Sequence, residues 1–234
     1  MSDHIVKAFD AKLEELQTLT TRMGGLAESQ LKAAMDAIVK RDSALAEKTI
    51  ADDAKVDDLG AEIEARAVRL LALRQPVADD LRLVIAAIKI TPDLERIGDL
   101  AKNLAKRALV LNRAEPMRIT QGLAAMGRQA LSQLAQVLNA YSSRDSAAAR
   151  EVRQKDGAID EMYNSLFREL LTYMMEDPRT IGLCTHLLFV AKNLERIGDH
   201  ATNIAESIIF AIEGRYLTEE RPKSDMTSTL DIKG

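Results

Sequence analysis

Apolar residues recur at intervals of three and four along almost the whole chain, which is the spacing of amphipathic helices. One such run extends from Ile5 to about Arg41, and a second extends from the cap signal Arg41-Asp42-Ser43 to about Arg74. Gln75-Pro76 interrupts the pattern, because proline lacks a backbone donor and restricts the residue before it. Further runs cover about 77–112, 117–143, 145–176 and 179–213. The pattern predicts an all-α fold with six long helices in up-down connection.

The chain repeats itself. Arg41-Asp42-Ser43-Ala44 returns as Arg144-Asp145-Ser146-Ala147, an offset of 103 residues. At an offset of 100, nine of the twelve positions in 94–105 and 194–205 are identical, including Leu-Glu-Arg-Ile-Gly-Asp in both. A repeat of this length indicates that one structural unit occurs twice. We therefore predict two three-helix repeats, residues 1–113 and 117–213, followed by a polar and mobile tail at 214–234.

The amino-acid composition argues against several classes of function. The 234 residues carry a net charge of −4 and only 3% aromatic residues, with no tryptophan, so nucleic-acid binding is disfavoured. The single cysteine, Cys184, excludes a disulfide framework and a cysteine zinc site, and we expect it to be a buried structural thiol. The sequence shows neither a signal peptide nor an apolar run long enough to span a membrane, so we expect a soluble, cytoplasmic protein.

Carboxylates are spaced so that they share helix faces. Spacings of four place Glu95 and Asp99 in one stripe with Asn103, and the second repeat has the same stripe at Glu195, Asp199 and Asn203. Two further acid pairs have this spacing: Asp53 with Asp57, and Asp156 with Asp160. In each repeat, the second and third helices are expected to fold back on each other at the proline turn between them. The acid pair of the second helix then lies beside the Glu-Asp-Asn stripe of the third. Each hairpin then holds four carboxylates and a nearby amide.

Oxygen-rich clusters without thiolates suit hard cations, so the predicted ligands favour Mg²⁺, Mn²⁺, Ca²⁺ or iron, with Zn²⁺ as a further candidate. Helical bundles build such carboxylate sites from facing helices. The alternative is that these acids form ion pairs with neighbouring cations, of which Arg66, Arg69, Lys102 and Arg168 are available. Spacing alone leaves both interpretations open. Neither a phosphate-binding glycine loop nor a nucleophile motif is present, so we predict no catalytic residue and no organic cofactor.

These motifs resemble the PhoU family. The resemblance is carried by the two Leu-Glu-Arg-Ile-Gly-Asp blocks, by Arg74-Gln75-Pro76-Val77-Ala78-Asp79-Asp80-Leu81-Arg82 and by Tyr173-Met174-Met175-Glu176-Asp177-Pro178-Arg179-Thr180-Ile181. It covers about residues 5–213. It implies two three-helix bundles related by a pseudo-twofold axis, and metal clusters on the helices that carry Glu95/Asp99 and Glu195/Asp199.

The resemblance also implies a function without catalysis. Such a protein is expected to be a cytoplasmic homodimer that couples a phosphate ABC transporter to a sensor histidine kinase and negatively regulates phosphate uptake and the phosphate regulon. Its expected partners are the ATPase subunit of the transporter and the kinase, and it meets the membrane only through them. Two alternatives remain: a metal-storage or di-metal oxidase bundle, and a plain helical scaffold with ion-paired acids. The first is disfavoured because no glutamate is followed three residues later by histidine.

Overall fold

The computed structural model describes residues 2–73, 78–215 and 217. Within these ranges the chain forms eight α-helices, one 3₁₀ turn and no strand, which confirms the predicted all-α fold. The 3₁₀ turn at Pro178–Thr180 leads into the last helix. The helices are α1 (Ser2–Val39), α2 (Ser43–Ala51), α3 (Ala54–Leu73), α4 (Ala78–Leu111), α5 (Thr120–Ser143), α6 (Ser146–Gln154), α7 (Gly157–Glu176) and α8 (Ile181–Glu213).

The second helix of each repeat is broken, which corrects the prediction of one continuous helix. The first break separates α2 from α3 at Asp52-Asp53, and the second separates α6 from α7 at Lys155-Asp156. Asp53 and Asp156 are each only 3% exposed, so the breaks turn two carboxylates inward. Aspartate favours turns over helix interiors because its short side chain competes for backbone hydrogen bonds. Its recurrence at both breaks explains why the interruption is duplicated.

The boundary before each broken helix is also duplicated. The carboxylate of Asp42 accepts a hydrogen bond from the backbone nitrogen of Leu45 at 2.9 Å, and Asp145 accepts one from Ala148 at 3.0 Å. The preceding Arg41 and Arg144 adopt left-handed backbone angles, with φ of 57° and 52°. These caps confirm the predicted boundary at Arg41-Asp42-Ser43 and at its copy.

The two repeats meet through reciprocal contacts between their first helices. Gly24 of α1 lies directly against the side chain of Leu138 on α5, and Gly127 of α5 lies directly against that of Met35 on α1. The offset of 103 relates Gly24 to Gly127 and Met35 to Leu138, so the second contact is the first with the repeats exchanged. Such reciprocity is the property of a twofold axis. The glycines leave the space in which the two antiparallel helices approach.

The third helices, α4 and α8, also pack against each other between the repeats. Asp93 of α4 lies 2.8 Å from Nδ1 of His200 and accepts a 3.2 Å hydrogen bond from Nδ2 of Asn203, both on α8. The helix α4 continues through Pro92. Cys184 is buried in α8, as predicted.

No helix in the described part of the chain has the length and hydropathy needed to cross a membrane. Of the polar tail predicted at 214–234, only Gly214, Arg215 and Leu217 lie within the described residues. The expectation that this tail is mobile therefore falls outside them.

Candidate functional site: two acid clusters

The first acid cluster is formed by Asp53, Asp57, Glu95 and Asp99, and the hairpin argument predicted this combination. Asp53 lies in the turn before α3 and Asp57 in its first turn, while α4 supplies Glu95 and Asp99. Lys102, one turn along α4, donates from Nζ to Oδ2 of Asp53 at 2.5 Å. Nη1 of Arg96 also lies 3.5 Å from Oδ2 of Asp99, so two of the four acids have a cation from their own chain.

Mutual repulsion acts among the acids of the first cluster. The pKa of Asp57 is raised by burial, and then by the neighbouring charges of Asp53 and Asp99. The pKa of Glu95 is raised by burial, and then by Asp57, Glu64 and Asp99. Each effect penalises the ionised carboxylate. A cation placed among these groups would relieve that penalty.

Two neighbouring residues shape the space around the first cluster. A Cβ atom at Gly60 of α3 would overlap the carboxylate of Glu95, so the absence of a side chain at this position lets Glu95 lie against α3. On the other side, Gln30 of α1 is 7% exposed, and neither of its side-chain polar atoms has a hydrogen-bond partner in the described part of the chain. A Cβ atom at Gly98 would lie 3.1 Å from Oε1 of Gln30 and 3.7 Å from Oδ1 of Asp53. An unpaired amide therefore faces the same space as the cluster.

The second acid cluster is formed by Asp156, Asp160, Glu195 and Asp199, and it is more deeply buried. Asp156 accepts a 2.7 Å hydrogen bond from the hydroxyl of Thr202. That hydroxyl accepts in turn from Nε2 of Gln133 at 3.2 Å. Thr202 occupies the position equivalent to Lys102, so a hydroxyl replaces the cation that holds Asp53 in the first repeat.

In the second cluster, the lysine contacts the glutamate rather than the first aspartate. Lys192 donates from Nζ to Oε1 of Glu195 at 3.0 Å, and its Nζ also lies 4.9 Å from the ring centre of Tyr163. Glu195 is 5% exposed. Burial raises the pKa of Glu195, Lys192 opposes that rise, and Asp199 and Asp160 add to it. In the first repeat, Pro92 stands at the position equivalent to Lys192, and Gly60 at the position equivalent to Tyr163. The first cluster therefore has neither that lysine nor that aromatic ring.

The two asparagines that were predicted to lie near the clusters, Asn103 and Asn203, have different surroundings. Asn103 is exposed on α4. Asn203 donates to Asp93 across the contact between α4 and α8, together with His200. The pattern of ion pairs also differs from the sequence expectation: Lys102 does pair with a cluster acid, whereas Arg66 pairs with Glu15 and Glu62.

Metal binding at either cluster stays a prediction. Within residues 2–73, 78–215 and 217, no group of three or more histidine, cysteine, aspartate or glutamate side chains is arranged to hold a metal ion as it stands. The donor types fit a hard cation, but the carboxylates must turn toward a common centre to bind one. The first cluster has the freedom to do so, because Asp57 is exposed and Glu95 and Asp99 are half-buried.

Several contributors to the clusters were not found by sequence reasoning. These are Gln30, Gln133, Gly60, Tyr163, Thr202 and Lys192. The sequence offered one sign that the two clusters differ: some equivalent positions of the two repeats hold different residues. Lys102 against Thr202 and Pro92 against Lys192 differ within otherwise matching helices, and each difference lies beside an acid.

Comparison with known proteins links this architecture to one family. Residues 20–108 and 123–208 each match the PhoU domain. The chain is 54% identical to a Caulobacter vibrioides protein over 97% of this chain and all of the other, and that protein is called a phosphate-specific transport system accessory protein PhoU homolog. A Rhizobium meliloti protein of the same description is 51% identical, over 97% of this chain and 96% of its own.

Solved structures agree with these sequence relatives. The crystal structure of PhoU from Pseudomonas aeruginosa superposes with a TM-score of 0.86 at 40% identity, covering 88% of this chain and 100% of the other. The crystal structure of the phosphate transport system regulatory protein PhoU from Streptococcus pneumoniae gives a TM-score of 0.83 at 32% identity, covering 90% and 100%.

Proposed function

Since the chain belongs to the PhoU family, we propose that it is a non-enzymatic regulator of phosphate transport. The observation that carries this proposal is the 54% identity over 97% of the chain to a protein described as an accessory of phosphate-specific transport. A second relative with the same description and two solved PhoU structures support it.

The regulation that we propose is negative and has two partners. In the cytoplasm, as a homodimer, the protein binds the ATPase subunit of a phosphate ABC transporter and a sensor histidine kinase. It thereby limits phosphate uptake and keeps the phosphate regulon repressed while phosphate is plentiful. Its association with the membrane is indirect, through the transporter and the kinase. The metal-storage or di-metal oxidase alternative gains no support, since the relatives are described by phosphate transport.

A regulon reporter tests the coupling to the kinase. The gene is deleted in its host, and a phosphate-repressed phosphatase is assayed in phosphate-rich medium. We expect high expression in the deletion strain, repression after complementation, and repression again when the kinase gene is also deleted. Full repression in the single deletion strain would contradict negative regulation. High expression that persists without the kinase would contradict the coupling.

We also propose that the first acid cluster binds a divalent or iron cation. The supporting observations are its oxygen donors, the raised pKa values of Asp57 and Glu95, and the unpaired amide of Gln30. A bound cation would neutralise the repulsion between Asp57, Glu95 and Asp99. The second cluster differs because Lys192 is already placed on Glu195.

A further inference from the structure

Lys102 reaches into the first acid cluster from α4, where its ammonium group acts on three of the four acids. Its Nζ lies 2.5 Å from Oδ2 of Asp53. The pKa of Lys102 is raised by this hydrogen bond; burial opposes the rise, and the charges of Asp53, Asp99 and Asp57 add to it. In return, the charge of Lys102 opposes the rise in the pKa of Asp57. The lysine therefore already supplies a positive charge where a bound cation would be attracted.

The second repeat has a hydroxyl where the first has this lysine. Thr202, the equivalent of Lys102, donates from its hydroxyl to Asp156 at 2.7 Å and accepts from Nε2 of Gln133 at 3.2 Å. A hydroxyl can do both, because it is a donor and an acceptor. Asp156 is 3% exposed, as is Asp53. A hydroxyl at this position of the third helix is thus compatible with an equally buried carboxylate.

The lysine leaves a neighbouring amide without a partner. Gln30, the equivalent of Gln133, is 7% exposed, and neither its Nε2 nor its Oε1 has a hydrogen-bond partner among the residues that the structure describes. An ammonium group has three donors and no acceptor, so Lys102 cannot accept from Nε2 as Thr202 does. A buried donor without a partner is destabilising. The first repeat therefore lacks a buried hydrogen bond that the second repeat forms, and has a positive charge in its place.

The second cluster also contains a lysine, but at another position. Lys192 donates to Oε1 of Glu195 at 3.0 Å, and Pro92 occupies the equivalent position in the first repeat. The two repeats thus place an ammonium group on a cluster acid from two positions that are not equivalent.

We infer that Lys102 sets the cation affinity of the first cluster: its ammonium group competes with a divalent cation for Asp53 and repels that cation from the neighbouring acids. This inference rests on the proposal that the first cluster binds a cation. Two positive groups beside one carboxylate repel each other, and the repulsion is stronger in a partly buried site than in water. Asp57, Glu95 and Asp99 are then the acids that take up a cation while Lys102 holds Asp53.

The test compares neutral and charged side chains at position 102, with Mn²⁺ as the probe because carboxylate sites suit it. The full chain is stripped with a chelator, and binding is measured from the electron paramagnetic resonance signal of free Mn²⁺. Lys102→Thr copies the second repeat, and Lys102→Gln keeps a donor of similar length. Each should bind Mn²⁺ about tenfold or more tightly than the wild type does, because the repulsion is removed and Asp53 is released.

Three further variants show whether charge at this position is the cause. Lys102→Arg keeps the charge and should bind Mn²⁺ as the wild type does. Lys106→Thr makes the same substitution at an exposed position one turn along α4 and should change the affinity less than about twofold. Adding Glu95→Ala/Asp99→Ala to Lys102→Thr should abolish the tighter site. Thermal unfolding checks that each protein is folded at the temperature of the titration.

The outcomes separate this inference from the proposal on which it rests. Equal Mn²⁺ affinity of the wild type, Lys102→Thr and Lys102→Gln would overturn the inference while the first cluster remains a cation site. Weaker binding by both neutral variants would also overturn it, because Lys102 would then position Asp53 for the cation. Tight binding by the neutral variants alone would support the inference and contradict cation binding by the wild type. Absence of binding in every protein would overturn both.

Discussion

Lys102 places its Nζ 2.5 Å from Oδ2 of Asp53, a carboxylate that the break between α2 and α3 turns into the protein. The side chain of Asp53 is 5% exposed and that of Lys102 is 31% exposed. Because the aspartate is buried and the lysine reaches it from the surface, the pair is asymmetric. Removing the lysine leaves a buried charge, whereas removing both members leaves none.

Lys102→Met is therefore expected to lower the free energy of unfolding by about 1–3 kcal/mol at pH 7. The double variant Asp53→Asn/Lys102→Met should recover part of this loss. Urea denaturation measures both, and Lys106→Met, at an exposed position on the same helix, is the control. Equal stability of the Lys102→Met and Lys106→Met proteins would show that the ion pair does not stabilise the fold.

Two adjacent glycines of α1, Gly24 and Gly25, test how closely α1 approaches α5. Gly24→Ala is expected to destabilise the protein by about 1–3 kcal/mol, because the added methyl group overlaps the side chain of Leu138. Beyond its own stretch of helix, a Cβ atom added at the adjacent Gly25 would meet no atom of the described residues within 4 Å, so Gly25→Ala should stabilise the helix by roughly 0.5–1 kcal/mol. Thermal unfolding of the two variants measures the difference. The same sign for both would contradict the close approach of the repeats.

The raised pKa of Glu95, caused by burial and then by the charge of Asp57, predicts a dependence of stability on pH. The folded protein holds its proton to higher pH than the unfolded chain, so this group costs stability as pH rises above the ordinary glutamate pKa of about 4.3. Glu95→Gln removes that cost. In metal-free buffer, its stability relative to the wild type should increase from acidic to neutral pH.

Glu161→Gln, at an exposed position on α7, serves as the control for the loss of one carboxylate outside the first cluster. A difference between the Glu95→Gln protein and the wild type that stays constant or shrinks as the pH rises would contradict the repulsion in the first cluster.

Bound metal should distinguish the two clusters. Elemental analysis of protein purified without chelator is expected to find a cation that Glu95→Ala/Asp99→Ala removes. The matched variant Glu195→Ala/Asp199→Ala should retain more of it, because Lys192 supplies a cation to the second cluster in the wild type. Equal metal content in both variants and the wild type would show that the clusters are not metal sites, and greater loss in the second variant would contradict the assignment to the first.

The sequence was sufficient for those features that local pattern and repetition control. The helical spacing predicted the all-α fold, the duplicated Arg-Asp-Ser cap located a boundary in each repeat, and the hairpin argument brought Asp53 and Asp57 to Glu95 and Asp99. The breaks at Asp53 and Asp156 were missed because an aspartate that continues a helical spacing also fits a helix surface. Only tertiary packing turns it inward.

The differences between the clusters could not be read from spacing. Whether a lysine contacts an acid depends on side-chain reach across two helices, as for Lys102 and Asp53. Tyr163 and Gly60 occupy equivalent positions, yet the ring of Tyr163 contacts Lys192 while Gly60 leaves room for Glu95. Both outcomes depend on how closely α7 and α3 approach the third helices.

Phosphate uptake measured with the transporter expressed from a constitutive promoter, in a strain lacking the sensor kinase, tests the regulation of transport most directly. This arrangement removes transcriptional effects, so any change reflects control of the transporter itself. In phosphate-rich medium, deletion of the gene should increase the initial uptake rate, and the complementing gene should restore the lower rate. An uptake rate that is the same with and without the protein would contradict its role as a negative regulator of phosphate transport.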